Sequence, residues 1–309
     1  MTSQAKIRLG TRRSPLAMAQ AEEVRDRLMQ AHGWAEDEVE IVPVVASGDK
    51  ITDRPLADIG GKALWTRELD QWLGEGRIDI SVHSMKDVET LRPDVFAFAA
   101  ILPREDVADV LLGAASIEQL PPGAVVGTSA PRRAAQLLSA RPDCTVVSIR
   151  GNVATRMGKL AASDVDATFL AAAGLARLGE TGVGTRLDPA DWFPAPAQAA
   201  IGVECRADDE RVLELLRPLD HHVSRAQVMA ERALLEGLGG SCHSPIAVLT
   251  SCDGDEVVLQ AMIYSPDGAV KIEADAKFAI GDLDTPRALA VHMLGDAPEI
   301  VRATFGQPE

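Results

Sequence analysis

The stretch KIRLGTRRSPLAMAQAEEVRDRLMQA, residues 6–31, sets the reading of the fold. Lys6 to Gly10 reads as a short strand. Ser14-Pro15 opens a helix, with Ser as the N-cap acceptor and Pro at the first helical position. Leu16, Ala17, Ala21, Val24, Leu28 and Ala31 then recur at helical spacing and turn one face inward. Strand, polar turn and amphipathic helix in succession are the building unit of an α/β sheet. Working outward, strands are expected over 38–46, 78–82 and 95–102, with a helix through Leu64–Leu73 opened near Gly60-Gly61.

A second unit begins near Pro103. Strands are expected over 124–127, 145–149 and 166–171, alternating with helices over 132–138, 153–160 and a short one ending near Leu178. Pro189, Pro194 and Pro196 mark a connection, after which 200–206 returns a strand to the first unit. The last third differs. A long helix over 221–238 stops at Gly239-Gly240 and is followed by strands over 246–250, 257–264 and 269–278. Turn residues at Asp253-Gly254 and Pro266-Asp267-Gly268 join them. Helices over 286–294 and 298–303 close the chain. The expected architecture is α/β plus α+β: two α/β domains, 1–102 with 199–218 and 103–198, and a smaller α+β domain, 219–309.

The 309-residue chain carries a net charge of −15, a field that repels nucleic acid and anionic membranes. No run approaches the roughly 20 apolar residues of a membrane span. Met1 to Leu9 does not read as a signal peptide, so the cytoplasm is the expected compartment. Cys144, Cys205, Cys242 and Cys252 show no zinc-type spacing and are expected as reduced thiols, with no metal.

Against that acidic background, arginines gather in strand-to-helix turns. Thr11-Arg12-Arg13-Ser14-Pro15 is echoed by Thr128-Ser129-Ala130-Pro131-Arg132-Arg133. Both place hydroxyls and paired guanidinium groups at a helix start, where N–H groups favour anions. Arg150 and Arg156 occupy a third such turn, and Arg177 ends a short helix. Arg grips carboxylates through a planar fork, so the set points to a ligand with several carboxylates or phosphates. Any one of these arginines, taken singly, reads as a solvated surface residue.

Two further segments carry chemistry. Val82-His83-Ser84-Met85-Lys86-Asp87 leaves the end of an apolar strand, where α/β sheets bind ligands. There Asp87 suits acid–base work or stabilisation of a cation, and Lys86 suits an anion. In isolation the same Asp reads as a turn cap. Leu238-Gly239-Gly240-Ser241-Cys242-His243-Ser244-Pro245 sets a cysteine on a Gly-flanked turn beside His243 and near Arg232, conditions that favour an accessible thiolate. Read alone, it is an ordinary free cysteine. Gly60-Gly61-Lys62 lacks the spacing of a phosphate loop.

Together these segments resemble the porphobilinogen deaminase family over nearly the whole chain. The resemblance rests on TRRSPLA from Thr11, GGKALWTREL from Gly60 and VHSMKDV from Val82. It continues through VGTSAPRRAAQL from Val126, RGNVATR from Arg150, AGLARLG from Ala173 and LGGSCHSPIA from Leu238.

The resemblance implies two α/β domains, like those of bilobal binding proteins, flanking a cleft, and a third domain presenting the cysteine. It implies a dipyrromethane cofactor joined to Cys242 by a thioether. It implies that four porphobilinogen units are deaminated and added head to tail, and that water then releases the linear tetrapyrrole. The two carboxylates on each added ring would account for the arginine turns. Carried over residue by residue, Asp87 would hydrogen-bond pyrrole nitrogens, and Arg12 would also serve proton delivery near the leaving ammonia. Lys86, Ser84, Thr128, Ser129, Arg132, Arg133, Arg150 and Gly151 would hold the cofactor. Ser14, Lys62, Arg156, Arg177 and Gln198 would join Arg12 and Arg150 on substrate. A monomer is the family expectation.

Three positions depart from the family pattern: Asp58 for a frequent lysine, Ala130-Pro131 for Ser-Leu, and Ala197-Gln198-Ala199-Ala200 for Gly-Gln-Gly-Ala. The last is expected to stiffen the return to the first domain. Two other readings share parts of the pattern. A polyanion-binding module leaves the Gly-Gly-Ser-Cys turn without purpose, and a transcriptional effector domain lacks a helix-turn-helix.

Overall fold

A computed structural model describes residues 5–45 and 66–306. Gly60, Gly61, Lys62, Trp65 and Asp58 therefore lie outside the described residues. Those described fall into two compact units, 5–45 with 66–105 and 200–225, and 106–199 with 226–306.

In the first unit, β1 (Ile7–Arg12) leads into α1 (Pro15–His32), and β2 (Val39–Val44) follows. Ser14 caps α1, its hydroxyl accepting the Ala17 N–H, and Gly33 ends it in the left-handed region that lacks a Cβ penalty. Ala17, Ala21, Val24 and Leu28 are buried on one face, as the spacing predicts, whereas Leu16 is half-buried and Ala31, in the last turn, is exposed. Next come α2 (Arg67–Gly74), β3 (Ile80–Ser84) and β4 (Phe96–Ile101). The sheet runs β2-β1-β3-β10-β4, where β10 is Ile201–Arg206. β1 is parallel to β2 and β3, whereas β10 is antiparallel to both its neighbours.

The second unit holds β5 (Asp109–Leu112), β6 (Val125–Gly127), α3 (Pro131–Ala140), β7 (Thr145–Val147), α4 (Val153–Ala161), β8 (Ala167–Ala171), α5 (Ala172–Arg177) and β9 (Thr185–Arg186). Its mixed sheet, β7-β6-β8-β5-β9, repeats the pattern of the first: a parallel trio, then an antiparallel strand and an edge. The echo between the two arginine turns is thus an echo of place. One closes β1 and opens α1; the other follows β6 and opens α3.

After β10 come α6 (Glu210–Leu216) and α7 (His222–Gly237). The meander β11 (Ile246–Asp253), β12 (Glu256–Tyr264) and β13 (Lys271–Ala279) follows, then α8 (Asp284–Asp296) and α9 (Glu299–Arg302). Leu234, Leu238, Val248, Leu259 and Met293 lead its mainly aliphatic core, with Phe278 and Phe305 as its aromatic members. The meander packs on α3: Ala135 and Phe193 cluster with Ala247 and Tyr264. At the β12–β13 turn, a Cβ on Gly268 would meet Ala135 O at 2.5 Å, so glycine permits this approach.

Strands β5 and β9 and helix α6 are not anticipated from the sequence. β5 carries Asp109 inside an apolar run, which breaks the strand pattern. Asp209 caps the Val212 N–H of α6, but seven residues are too few for periodicity to show.

Candidate active site

In each sheet the parallel trio directs its carboxyl ends to one edge, where α/β sheets bind ligands. In the first unit, β1 ends at Arg12 and β3 ends at Ser84. A 3-10 turn, Met85–Asp87, follows β3. Met85 is buried and its N–H donates to Ala200 O at 3.0 Å, pinning the turn, while Lys86 and Asp87 are half-buried. Ser84 Oγ donates to Gln20 Oε1 on α1 at 2.9 Å, linking the Asp87 turn to the helix that Ser14 caps. Arg12 is half-buried and Arg13 exposed.

Beneath that edge lies a charged network whose charges the sequence reading left out. Glu204 on β10 is fully buried and accepts from Arg92 Nε and Nη2, both at 2.9 Å. Arg92 also bonds Asp70 and Glu89. His83 Nε2 lies 3.1 Å from Glu204 Oε2, close enough for charge to act but without the alignment of a hydrogen bond. Burial by itself would raise the Glu204 pKa; His83 and Arg92 outweigh it and hold the carboxyl down at about 2.

In the second unit, Thr128, Ser129, Arg132, Arg133, Arg150 and Gly151 all follow β6 or β7 at the shared carboxyl edge. Thr128 Oγ1 accepts the Ala130 N–H at 3.1 Å, and Ser129 Oγ donates to Ile149 O at 2.6 Å. Asn152 caps α4 by accepting the Thr155 N–H at 2.9 Å. Gly151, at φ +117°, makes the turn between Arg150 and that cap; a Cβ there would meet the Thr155 side chain at 2.5 Å. Arg156 Nε donates to Gly151 O at 3.1 Å.

Arg132 and Arg133 are buried rather than solvated, at 4% and 6% exposure. They converge on Asp109 of β5. Arg133 Nη2 and Nε reach its two oxygens at 2.6 and 3.1 Å, and Arg132 Nη2 ion-pairs with it at 2.7 Å. Trp192 Nε1 and Gln198 Nε2 donate to the same carboxylate at 3.0 and 2.9 Å. Burial would raise the Asp109 pKa, but the two guanidinium charges override it and drive the pKa far below the carboxylate range. Arg133 Nη1 donates to Phe169 O, and Arg132 Nη1 to Phe193 O. Arg132 Nε is buried with no partner among the described residues. Gln198, expected on substrate, is 1% exposed and donates to Val107 O as well as Asp109. Arg177 donates to Ala199 O at 3.2 Å. The structure thus ties Arg132, Arg133, Gln198 and Arg177 into one internal cluster through Asp109 and the 197–199 segment.

That segment carries two of the family's replaced glycines. Ala197 and Ala199 both sit at positive φ, +58° and +70°, a region that penalises a Cβ. The Ala197 N–H donates to buried Glu231 Oε2 on α7 at 2.6 Å, and Thr250 Oγ1 bonds the other oxygen. The replacement of glycine shows here as backbone strain.

Helix α7 ends in a paired-bond cap: Gly240 N–H donates to Leu235 O and Gly239 N–H to Glu236 O, both at 2.8 Å, with Gly239 left-handed. A tight turn follows, with Ser241 N–H donating to Ser244 Oγ at 3.0 Å and His243 N–H to Ser241 Oγ at 3.2 Å. Cys242 is exposed at its tip, whereas Cys144 and Cys205 are buried and Cys252 is half-buried. Burial lifts the Cys205 thiol to about 11 and raises Cys144 and Cys252. His243 is exposed beside Cys242, but Arg232 is buried in α7.

A family model described as "Porphobilinogen deaminase, dipyromethane cofactor binding domain" matches residues 7–214, and "Porphobilinogen deaminase, C-terminal domain" matches 225–295. The chain belongs to the porphobilinogen deaminase family. A porphobilinogen deaminase of Sphingopyxis alaskensis is 50% identical over 305 residues, 97% of this chain and 96% of the relative. One of Paracoccus denitrificans is 50% identical over 88% of each chain. Among solved structures, the Bordetella pertussis BvgS periplasmic VFT2 domain aligns with a TM-score of 0.42 at 16% identity, over 74% of this chain and 92% of that one. Porphobilinogen deaminases (hydroxymethylbilane synthases) are transferases that polymerise porphobilinogen on a dipyrromethane cofactor in tetrapyrrole biosynthesis, and that activity is this chain's. Release of hydroxymethylbilane follows from the family. No helix among the described residues is long and apolar enough to cross a membrane. The residues also fit the family's cofactor: a thiol is displayed on an ordered turn, and a buried arginine pair keeps one N–H without a partner.

Proposed function

We propose that Cys242 carries the dipyrromethane through a thioether and that Asp87 works at the reacting ring. The carrying observation is the exposure of Cys242, alone among the four cysteines, on a turn braced by the α7 cap. When bound, the dipyrromethane supplies the nucleophilic pyrrole that primes chain growth. The Asp87 carboxylate, held past the end of β3, accepts pyrrole N–H bonds and stabilises positive charge on the ring. Arg12 and Ser14 at the start of α1, with Lys86, receive ring carboxylates and bring Arg12 close to the departing ammonia. Arg150, Arg156 and Arg177, with Lys62 and Arg132, hold the remaining carboxylates, and Arg133 supports that site from its pairing with Asp109. Thr128, Ser129 and Ser84 brace these turns, and Gln198 acts from within.

Intact mass of denatured wild type and Cys242→Ala tests the attachment. An excess equal to two coupled pyrrole units is expected on wild type only, acquired with porphobilinogen if the chain starts bare. Its persistence on the variant, or its absence from wild type after incubation, overturns the assignment and favours a polyanion-binding protein. For Asp87→Ala, turnover is expected to fall by about 10²–10⁴-fold with an unchanged melt. A rate near wild type would remove Asp87 from the chemistry.

The same reading keeps three domains, 1–102 with 199–218, 103–198 and 219–309, supported by the three separate sheets. It takes the enzyme as a cytoplasmic monomer acting on porphobilinogen, and the net charge of −15 supports its having no nucleic-acid or anionic-membrane partner.

A further inference from the structure

Buried ionic groups are stable when charge and hydrogen bonds close on themselves, and the Asp109 cluster does not close. Two guanidinium groups face one carboxylate, and no second carboxylate pairs with either arginine among the described residues. The two arginines also differ. Arg133 directs Nε and Nη2 onto Asp109 and Nη1 onto Phe169 O, so each nitrogen is engaged. Arg132 reaches Asp109 through Nη2 alone, and its Nε has no partner. Trp192 and Gln198 donate to Asp109 as well, which fixes the carboxylate between the arginines without adding charge.

We propose that Asp109 is a positioning residue that sets the charge of the arginine site: it cancels Arg133 and leaves one positive charge on Arg132 to receive one carboxylate of a pyrrole ring. The proposal rests on the reading of Arg132 as a carboxylate-binding residue. It gives the site a count. With both arginines uncancelled the cluster resists burial; with none it has no hold on an anion; with one it takes one carboxylate. Burial, joined by repulsion from Arg133, outweighs the attraction of Asp109 and depresses the Arg132 pKa, which a second negative charge would relieve.

Asp109→Asn alone leaves two buried cations facing each other and risks misfolding, so the test uses variants that separate count from fold. Arg133→Met leaves a neutral Asp109–Arg132 pair. Arg133→Met with Asp109→Asn restores one net charge on Arg132. Arg132→Met serves as the control for the underlying reading. Each full-length apo chain is incubated with porphobilinogen, and the fraction carrying the two-pyrrole adduct is followed by intact mass, with thermal melts to confirm folding. Arg133→Met is expected to load about tenfold more slowly than wild type, and the double variant to recover to within about threefold. A double variant no faster than Arg133→Met, or an Arg133→Met chain loading like wild type, overturns the charge-setting role. Arg132→Met loading at the wild-type rate would instead remove the carboxylate reading on which the role depends.

Discussion

Ala197 and Ala199 hold left-handed backbone that glycine adopts without cost. Each alanine there carries about 1–2 kcal/mol of conformational penalty, partly offset by the freedom that glycine would regain on unfolding. Ala199→Gly is therefore expected to stabilise the chain by about 0.5–1 kcal/mol, read as a higher urea midpoint with an unchanged slope. An unchanged or lower midpoint would mean that the segment relaxes in solution. At this scale the sequence is uneven. Cys242 is legible because its Gly-Gly stop is local, and the arginine turns are legible because each sits within one strand-to-helix step. Asp109 is not. Its partners Arg133 and Trp192 stand 24 and 83 residues away, so only the fold joins them. The available signal was a carboxylate inside the run Val107-Ala108-Asp109-Val110-Leu111, since a buried charge requires a partner.

Among the elements, a cap written in the chain marks a helix boundary where the helix is long enough to show its period, which the capped but seven-residue α6 is not. Ser14-Pro15 marks α1, and Gly239-Gly240 ends α7. The meander follows its alternation and turn residues, with ends shifted by a few residues. The turn before α4 shows what a local reading leaves out. Gly151, assigned from resemblance as a cofactor contact, is required by the backbone: its φ of +117° and the nearby Thr155 side chain leave no room for a Cβ. Gly151→Ala should displace the Arg150 turn. Because Gly151 is exposed, little global stability is at stake. The expected result is KM raised about tenfold or more with the melting temperature nearly unchanged. A normal KM would show that the turn adapts without moving Arg150.

For the whole molecule, acid stability follows from the buried carboxylates. Glu204 is held near 2 against an ordinary 4.5, so its stabilising effect is complete above that ordinary value. As pH falls from about 4.5 towards about 2, the unfolded chain takes up protons more readily than the folded one, and stability declines. Asp109 acts in the same direction from still lower pH. Melts between pH 7 and pH 2 should show a steep acid limb, and Glu204→Gln should flatten it while lowering the melting temperature at neutral pH. An identical acid limb in the variant would mean that other carboxylates govern it.

The strand order β2-β1-β3-β10-β4 also bears on how the chain is made. Among the described residues, strand β4 hydrogen-bonds within the sheet only to β10, which begins about a hundred residues after β4 ends. At about 5–20 residues per second, the ribosome exposes β4 several seconds before its neighbour exists. The nascent first unit must wait with an open edge while the whole second sheet is synthesised, a window in which a chaperone has most to protect.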